Sequence, residues 1–295
     1  MASFGGCLTI ATLVLLSMVA GSQGNNALAN QFTTWTPKNC EFTPDGRGVD
    51  LIVRNQSMPY ASMTSKNWFM YGGIGAWIKL IPNNSAGTVT TFYLSSTGPK
   101  HCEFDFEFLG NVSGQPYVLH SNIFVDGIGG REQQIFLWFD PTTDYHYYNF
   151  QWNKDLLVFY VDNTPIRMFR NLEGIAPGFL YPKACPMALY LSVWDGSKWA
   201  TQNGRVKIDW TAVPFVASYK NFRLNGCLAN QGDKPAIAAC QNTKWAAPGP
   251  RSQTIGGTRT RKLREIKNNY VRYNYCDDLK RWNYTIPGEC NYNVL

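Results

Sequence analysis

Short runs of alternating aromatic, β-branched and polar residues fill most of the chain, from residue 31 to about residue 222. Gly, Pro, Asn or Asp interrupts these runs about every 8–12 residues, a spacing typical of an antiparallel sandwich or jelly roll. The clearest runs predict strands at residues 88–94, 134–139, 156–161 and 187–193. The sequence therefore predicts an all-β fold built as a β-sandwich jelly roll.

The length of 295 residues and the hydrophobic content of 44% allow one large core with an extension, because all-β domains reach about 200–250 residues. We predict a β domain at residues 28–222 and a C-terminal extension at residues 223–295. Gly, Pro, Ala, Asn and Gln dominate residues 226–260, which predicts a loop, and residues 261–270 are the best helix candidate.

An apolar run at residues 8–20, followed by small residues, has the length and order of a signal peptide. It is shorter, by roughly five residues, than a comfortable membrane span, and no later run approaches the ~20 apolar residues that a span needs. We therefore predict a cleaved secretory signal at residues 1–27, an exported protein and no membrane partner.

Cysteines are concentrated in the C-terminal extension, and export permits disulfides there. We predict two of them, Cys227–Cys240 and Cys276–Cys290. Zinc binding by these four residues is the less favoured alternative, because their spacing lacks the C-x2-C pairs of a zinc site. The sequence leaves open the states of Cys40, Cys102 and Cys185.

The formal net charge of +7 raises the question of an anionic partner, such as nucleic acid, a membrane surface or an acidic polysaccharide. Many of the basic residues lie after residue 250, so a solvated basic face on the predicted helix explains much of the charge. We predict no nucleic-acid partner. N-glycosylation motifs occur at four positions, of which Asn111 is the predicted glycosylation site: Asn55, Asn83, Asn111 and Asn283.

Three acidic residues alternate with phenylalanines in a single predicted strand after His101. Because side chains two residues apart point to the same face of a strand, Glu103, Asp105 and Glu107 should share one face with His101. The opposite face is apolar and predicts burial, with Cys102, Phe104, Phe106 and Phe108. Neighbouring carboxylates raise the pKa of at least one of the group, which indicates a functional use.

Retaining glycoside hydrolysis uses this arrangement, because it needs a carboxylate nucleophile and a carboxylic acid roughly 5–5.5 Å apart. Glu103 and Glu107 are separated by about 13 Å along the backbone, and long side chains on a curved sheet can close that gap. Asp105 can share a proton with the nucleophile. A solvent-facing acidic stripe and a calcium site are the alternatives, although one strand supplies few converging oxygens for calcium.

The strand from His101 to Gly110 resembles the active-site strand of glycoside hydrolase family 16, in the form carried by xyloglucan endotransglucosylase/hydrolases. Similar segments occur along most of the chain, at residues 84–98, 111–113, 131–141, 165–167, 199–201, 214–219, 273–276 and 287–290. The resemblance implies a curved, concanavalin-like jelly roll whose concave face holds an extended glucan. It also implies that the C-terminal extension packs at the acceptor end of the cleft.

The resemblance further implies that Glu103 is the nucleophile, Asp105 its helper and Glu107 the general acid and base. It assigns sugar contacts to aromatic and polar side chains along the cleft, and two to its acceptor end: Tyr93, Trp194, Trp199, His101, His120, Asn122, Glu132 and Gln134, then Tyr273 and Arg281. No cofactor and no metal are implied. The expected partners are a polysaccharide donor and a xyloglucan acceptor, bound by a monomer in the plant cell wall and apoplast.

Four positions depart from the family pattern. Cys102 and Phe104 replace a usual Asp and Ile on the core face of the acidic strand, while Pro37 replaces a Trp and Ser62 a Gly in the donor half of the cleft. In this the chain resembles hetero-trans-β-glucanases, which accept cellulose or mixed-linkage β-glucan besides xyloglucan. A strict xyloglucan endotransglucosylase or hydrolase is the alternative, and a non-catalytic glucan-binding jelly roll is the alternative from another class.

Overall fold

The computed structural model describes residues 27–247 and 257–292, so all but the last residue of the predicted signal peptide lies outside it. Strands dominate these ranges, which confirms the all-β fold. They are β1 (Phe32–Thr34), β2 (Cys40–Phe42), β3 (Gly48–Val53), β4 (Tyr60–Lys79), β5 (Thr88–Ser95), β6 (Glu103–Leu109), β7 (Val118–Phe124), β8 (Gln133–Phe136), β9 (His146–Trp152), β10 (Leu156–Val161), β11 (Thr164–Arg170), β12 (Met187–Asp195), β13 (Phe215–Leu228) and β14 (Val271–Asn274). The helices are α1 (Ala27–Gln31), α2 (Lys234–Cys240) and α3 (Thr258–Asn269).

The long strand β4 belongs to two packed layers. Its first half pairs with β1 and β12, and its second half pairs with β9 and β13. The inner layer runs β1-β4-β12-β5-β6-β7-β8-β14, and the outer layer runs β11-β10-β9-β4-β13-β3-β2. Tyr71 and Gly72 join the two halves with φ values of 68° and 138°. A Cβ at Gly72 would lie 2.3 Å from the Asn225 carbonyl oxygen, so only glycine fits the crossing.

Aromatic side chains fill the space between the two layers. Phe104, Phe106 and Phe108 of β6 are each 0% exposed. The Phe106 ring lies 4.7 Å from that of Phe150, and the Phe108 ring lies 4.8 Å from that of Tyr148, both on β9. Since side chains alternate along a strand, burial of these phenylalanines turns the acidic residues of β6 to the open face of the inner layer.

The predicted strands at residues 88–94, 156–161 and 187–193 correspond to β5, β10 and β12 within two residues at each end. The prediction at residues 134–139 extends too far, because β8 ends at Phe136. Beyond it the Trp138 ring packs 5.5 Å from that of Tyr270, at the end of α3. This tertiary contact takes the chain out of the sheet while the sequence remains apolar.

The predicted loop at residues 226–260 is wrong in part, because this range contains the end of β13, the whole of α2 and the beginning of α3. Asp233 caps α2 by accepting a hydrogen bond from the Ala236 amide at 3.0 Å, and Pro235 suits the first turn of a helix. The helix predicted at residues 261–270 is α3, and its Leu263 packs in a cluster with Leu156 and Val158 of the outer layer. The boundary predicted between residues 222 and 223 falls inside β13.

Three disulfides connect the described residues. Cys227–Cys240 and Cys276–Cys290 pair as predicted. A third, Cys102–Cys185, ties the residue before β6 to the segment before β12, and Cys40 is a buried free thiol. No helix within residues 27–247 and 257–292 is long and apolar enough to cross a membrane.

The central position of Phe106 predicts a large loss of stability for Phe106→Ala, because the lost ring leaves a cavity in a closed aromatic cluster. We expect the free energy of unfolding to fall by about 3–5 kcal/mol, measured by urea denaturation. Ile175→Ala is the control: its side chain is 57% exposed, so its effect should stay within about 0.5 kcal/mol. Equal effects of the two substitutions would contradict the assigned core.

Candidate active site

The strand register aligns the three acids of β6 with side chains of neighbouring strands. Directly opposed residues of an antiparallel pair lie on the same face and contact each other. Three rows of side chains therefore cross the open face of the inner layer: Ser95, Glu103 and Phe124; Tyr93, Asp105 and Asn122; and Thr91, Glu107, His120 and Gln134.

Seven of these ten residues line a groove with a volume of about 370 Å³, which we call the cleft. All three acids of β6 reach it, together with three of the predicted aromatic and amide side chains and others that were not predicted. Its lining comprises Thr91, Tyr93, Glu103, Asp105, Glu107, Asn122, Phe124, Ser192 and Trp194. The acids thus occupy one face of one strand, as predicted.

Asp105 is the most deeply buried of the three acids, with 6% of its surface exposed. Burial raises its pKa well above the usual range, and the charges of Glu103 and Glu107 raise it further. A hydrogen bond with Glu103 acts in the same direction, since protonated Asp105 is the donor, while the charge of Arg167 opposes the shift. Asp105 therefore binds a proton more strongly than an ordinary aspartate does, and its hydrogen bond connects it to Glu103.

Glu107 retains its proton to an unusually high pH. Burial, followed by the negative charges of Glu103 and Glu132, raises its pKa to about 7. A carboxylic acid with this pKa is still protonated in mildly acidic solution and can exchange its proton near neutrality. Glu107 is therefore suited to donate a proton and later to accept one.

His120 lies beside Glu107 but does not form an ion pair with it. Burial lowers the pKa of His120 to about 4, against the charge of Glu132, so the ring is neutral above that pH. Its Nδ1 lies 3.5 Å from Glu107 Oε2, and among the described residues neither ring nitrogen has a hydrogen-bond partner. The Trp199 ring covers it edge-on at 5.5 Å. His120 is thus a neutral, buried neighbour of Glu107.

One end of the rows is closed by the C-terminal extension. Strand β14 pairs with β8 and sets Tyr273 opposite Gln134. Arg281 holds both carboxylate oxygens of Glu132, at 2.6 and 3.3 Å, and donates to the Tyr273 hydroxyl at 3.1 Å. Burial alone would raise the pKa of Glu132, but the hydrogen bonds from Arg281 outweigh it and the pKa is lowered. Four predicted residues from distant parts of the sequence are therefore close together at this end: Glu132, Gln134, Tyr273 and Arg281.

Two of the predicted aromatic residues occupy the other side of β6, and the third, Trp199, contacts both Trp194 and His120 of β7. Tyr93 lines the cleft and stacks on Tyr190, with ring centres 5.0 Å apart. Trp194 also lines it, and its ring centre is 6.3 Å from that of Trp199. Tyr190 was not predicted, although the alternation of β12 places it on the same face as Trp194.

Two predicted polar residues support the cleft in different ways. His101 precedes β6 and stacks on Phe124, with ring centres 5.1 Å apart, so it is behind the lining rather than part of it. Asn122 lines the cleft, and its side-chain oxygen accepts hydrogen bonds from the Arg131 and Ile123 amides at 3.0 and 2.9 Å. These bonds fix the orientation of the Asn122 amide beside Asp105.

Arg167 is a buried residue that the sequence analysis did not single out. It is 2% exposed and donates to the Ser121 carbonyl and hydroxyl oxygens at 3.0 and 2.9 Å. Burial lowers its pKa to about 10, so the guanidinium stays charged below the cleft and favours ionisation of Asp105. The alternation of β11 could have identified Arg167 as buried, because it places Arg167 on the same face as Phe169, which is buried.

The two departures predicted for the donor half lie on the far side of β12. Ser62 of β4 is opposite Ser192, whose hydroxyl lies 2.6 Å from that of Thr91 in the cleft. Pro37 is exposed and begins a 3-10 turn, Pro37–Asn39. Ser62 therefore continues the row of Glu107, and Pro37 follows Thr36, whose hydroxyl accepts a hydrogen bond from the Ser62 amide at 2.9 Å. The predicted glycosylation site, Asn111, is outside the cleft in the loop after β6 and is partly exposed.

A larger groove, of about 620 Å³, lies on the outer layer. Its described lining has a single carboxylate, Asp162, which accepts from the Tyr147 amide at 2.9 Å and contacts His146 Nδ1 at 2.9 Å. Retaining glycoside hydrolysis needs two carboxyl groups, an acid and a nucleophile. The described lining of this groove has one, and it already bonds to the Tyr147 amide and contacts His146. The smaller cleft is therefore the candidate active site despite its size.

A two-layer antiparallel sandwich with three carboxylates on one strand of an open cleft defines a glycosidase-type protein. Residues 28–212 match the glycosyl hydrolases family 16 model, and residues 240–290 match that of the xyloglucan endo-transglycosylase C-terminus. The chain belongs to the xyloglucan endotransglucosylase/hydrolase family, within glycosyl hydrolases family 16.

Named relatives match nearly the whole chain. It is 46% identical to xyloglucan endotransglucosylase protein 7 of Diospyros kaki, over 92% of this chain and 98% of that one. It is 42% identical to probable xyloglucan endotransglucosylase/hydrolase protein 23 of Arabidopsis thaliana, over 96% of each.

Solved structures share the fold at lower identity. The Crh5 transglycosylase superposes with a TM-score of 0.54 at 22% identity, covering 70% of this chain and 80% of that one. The Bacillus licheniformis β-glucanase gives a TM-score of 0.51 at 21% identity, covering 68% and 94%. Both agree with the jelly-roll architecture.

The charge of Glu132 predicts that Glu132→Gln lowers the pKa of Glu107. The substitution removes a negative charge that disfavours ionisation of Glu107 and leaves Arg281 without its carboxylate partner, and both changes favour the ionised form. We expect the pKa to fall from about 7 by roughly 0.5–1 pH unit, as read from carboxyl-carbon NMR titration. Asp45→Asn removes an exposed charge elsewhere and should leave it unchanged, and an unmoved or raised pKa in Glu132→Gln would refute the assignment.

Proposed function

We propose that the protein is a retaining endo-transglucosylase of the plant cell wall, which cleaves a β-1,4-glucan-type donor and transfers the glycosyl-enzyme to a xyloglucan acceptor. The observation that carries this proposal is that Glu103, Asp105 and Glu107 lie on one face of β6 and line the cleft. Membership of the family supports the substrate class, since relatives are named for xyloglucan endotransglucosylation.

In the first step, Glu107 gives its proton to the glycosidic oxygen while a Glu103 carboxylate oxygen attacks the anomeric carbon. The glycosidic bond breaks, the leaving chain takes the proton as a hydroxyl, and a covalent glycosyl-enzyme forms. The raised pKa of Glu107 supports its role as the acid. Asp105, whose raised pKa favours its protonated form and which hydrogen bonds to Glu103, orients the nucleophile and disperses its charge.

In the second step, Glu107 has become a carboxylate and removes the proton of the attacking hydroxyl, which then displaces Glu103 from the anomeric carbon. A sugar hydroxyl gives transfer, and water gives hydrolysis. Tyr273, Arg281 and Glu132 form a fixed polar group at the end of the cleft that the C-terminal extension closes. A sugar chain held there keeps an acceptor hydroxyl near the glycosyl-enzyme, so transfer is favoured.

Broadened donor use, as in hetero-trans-β-glucanases, is part of this proposal. Ser62 supplies a small hydroxyl in the row of Glu107, and Pro37 supplies no flat ring for a sugar residue to stack on. A missing aromatic ring in the donor half changes which glucan chain can lie there, and the donors that we propose in addition to xyloglucan are unbranched ones, such as cellulose and mixed-linkage β-glucan. The strict xyloglucan-specific enzyme is the alternative.

The same proposal includes secretion to the cell wall and apoplast and action as a monomer. Three disulfides support an oxidising compartment. Asn111 stays the predicted glycosylation site.

Substitution of the nucleophile separates an enzyme from a glucan-binding protein. We expect Glu103→Ala to lower the transfer rate by on the order of 10³-fold or more, while binding of glucan measured by calorimetry is retained. Glu265→Gln removes an exposed acid of α3 and should leave the rate unchanged. Turnover by Glu103→Ala at the unmodified rate would exclude Glu103 as the nucleophile. Glucan binding without any turnover by the unmodified protein would establish the non-catalytic alternative.

A donor panel tests the breadth of donor use. The protein is incubated with cellulose, mixed-linkage β-glucan or xyloglucan together with a labelled xyloglucan oligosaccharide, and label in the polymer is counted. We expect incorporation with all three donors, and a shift toward xyloglucan in the double variant Pro37→Trp, Ser62→Gly. Incorporation from xyloglucan alone would reject broadened donor use and leave transglucosylation intact.

A further inference from the structure

Trp35 is a large exposed aromatic side chain beside the cleft to which the functions described so far give no role. Its indole is 64% exposed, whereas Phe106 of β6 and Trp152 of β9 are buried. We propose that Trp35 is a sugar-stacking platform at the donor end of the cleft, and that it binds a glucose ring of an unbranched β-glucan donor long enough to reach it. This inference rests on the proposed function and extends it to a defined remote subsite.

The strand register sets Trp35 in the row of the general acid. The Trp35 amide donates to the Ser62 carbonyl at 3.0 Å, which continues the pairing of β1 with β4 and turns Trp35 to the face of Ser62. From there the row runs through Ser192 and Thr91 to Glu107. Four strand spacings separate β6 from β1, about 19 Å, so only an extended oligosaccharide spans the distance.

The indole is held in one orientation. Its Nε1 donates to the Thr64 hydroxyl at 2.8 Å, and the next residue, Thr36, accepts from the Ser62 amide at 2.9 Å. The single hydrogen-bond donor of the side chain is therefore used within the protein. Only the flat ring is left for a ligand, and it is already ordered, which lowers the entropic cost of binding.

The path between Trp35 and the acids suits a flat, unbranched chain. Small hydroxyl residues form it, with Ser62, Ser192 and Thr91 side by side and the last two hydrogen-bonded at 2.6 Å. Hydroxyl groups can bond the equatorial edges of sugar rings, while the C–H faces of a ring pack on an indole. The combination of a hydroxyl floor with an aromatic end is complementary to a linear β-glucan.

The test compares linear β-1,4-glucan oligosaccharide donors of increasing length in the unmodified protein and in Trp35→Ala, with a labelled xyloglucan oligosaccharide as acceptor. We expect kcat/KM to rise with length in the unmodified protein. In Trp35→Ala it should fall by roughly 3- to 10-fold for the longest donors and stay unchanged for the shortest. Trp35→Phe keeps a flat ring and should retain most of the gain, and Thr64→Val, which frees the indole, should lose part of it.

Binding is measured separately so that the inference does not depend on turnover. The Glu103→Ala variant and its Trp35→Ala double variant are titrated calorimetrically with the same oligosaccharides, and the double variant should bind only the long ones more weakly. Trp77→Ala, which removes an indole from the outer layer, is the matched control and should bind as its parent. A length dependence preserved without Trp35, or an equal loss at every length together with a lower Tm, overturns the inference. A lack of transfer by the unmodified protein instead overturns the proposed function, while the binding comparison still decides the role of Trp35.

Discussion

Burial of the phenylalanines of β6 between the two layers is the constraint on which the active site depends. Phe104, Phe106 and Phe108 are fully enclosed by aromatic rings of the outer layer. Because side chains alternate, a register shift of one residue would bury the acids and expose the rings. Removing three aromatic side chains from water contributes several kcal/mol, so the core that stabilises the fold also enforces the direction of the acids.

The direction of the acids was predictable from the sequence, but their protonation was not. Alternation in one short segment identifies the shared face of Glu103 and Glu107, with no knowledge of the rest of the chain. The order of their proton affinities depends on burial and on charged residues outside β6, such as Glu132 and Arg167. Those residues are near in space because of sheet pairing over long sequence distances, which local patterns do not encode.

The same distinction explains which parts of the fold were predicted. Strands β5, β10 and β12 follow from local alternation, and α3 follows from a polar segment with apolar residues at helical spacing. Helix α2 was missed because Gly, Pro and Asn around it indicate a loop, whereas its cap and the Cys227–Cys240 disulfide stabilise it. The Cys102–Cys185 disulfide was not predicted for a similar reason, since 83 residues separate the two cysteines.

The two ends of the cleft are built differently from its centre. At the centre, β5, β6 and β7 are held on both sides by ladder hydrogen bonds, and the acids have little freedom to move. At one end, a short strand and an ion pair of the C-terminal extension, Arg281 with Glu132, complete the surface. At the other, β1 ends at Thr34 and side-chain hydrogen bonds hold Trp35. Substitution at either end changes few core contacts, so the choice of donor and acceptor can vary while the catalytic geometry of β6 is preserved.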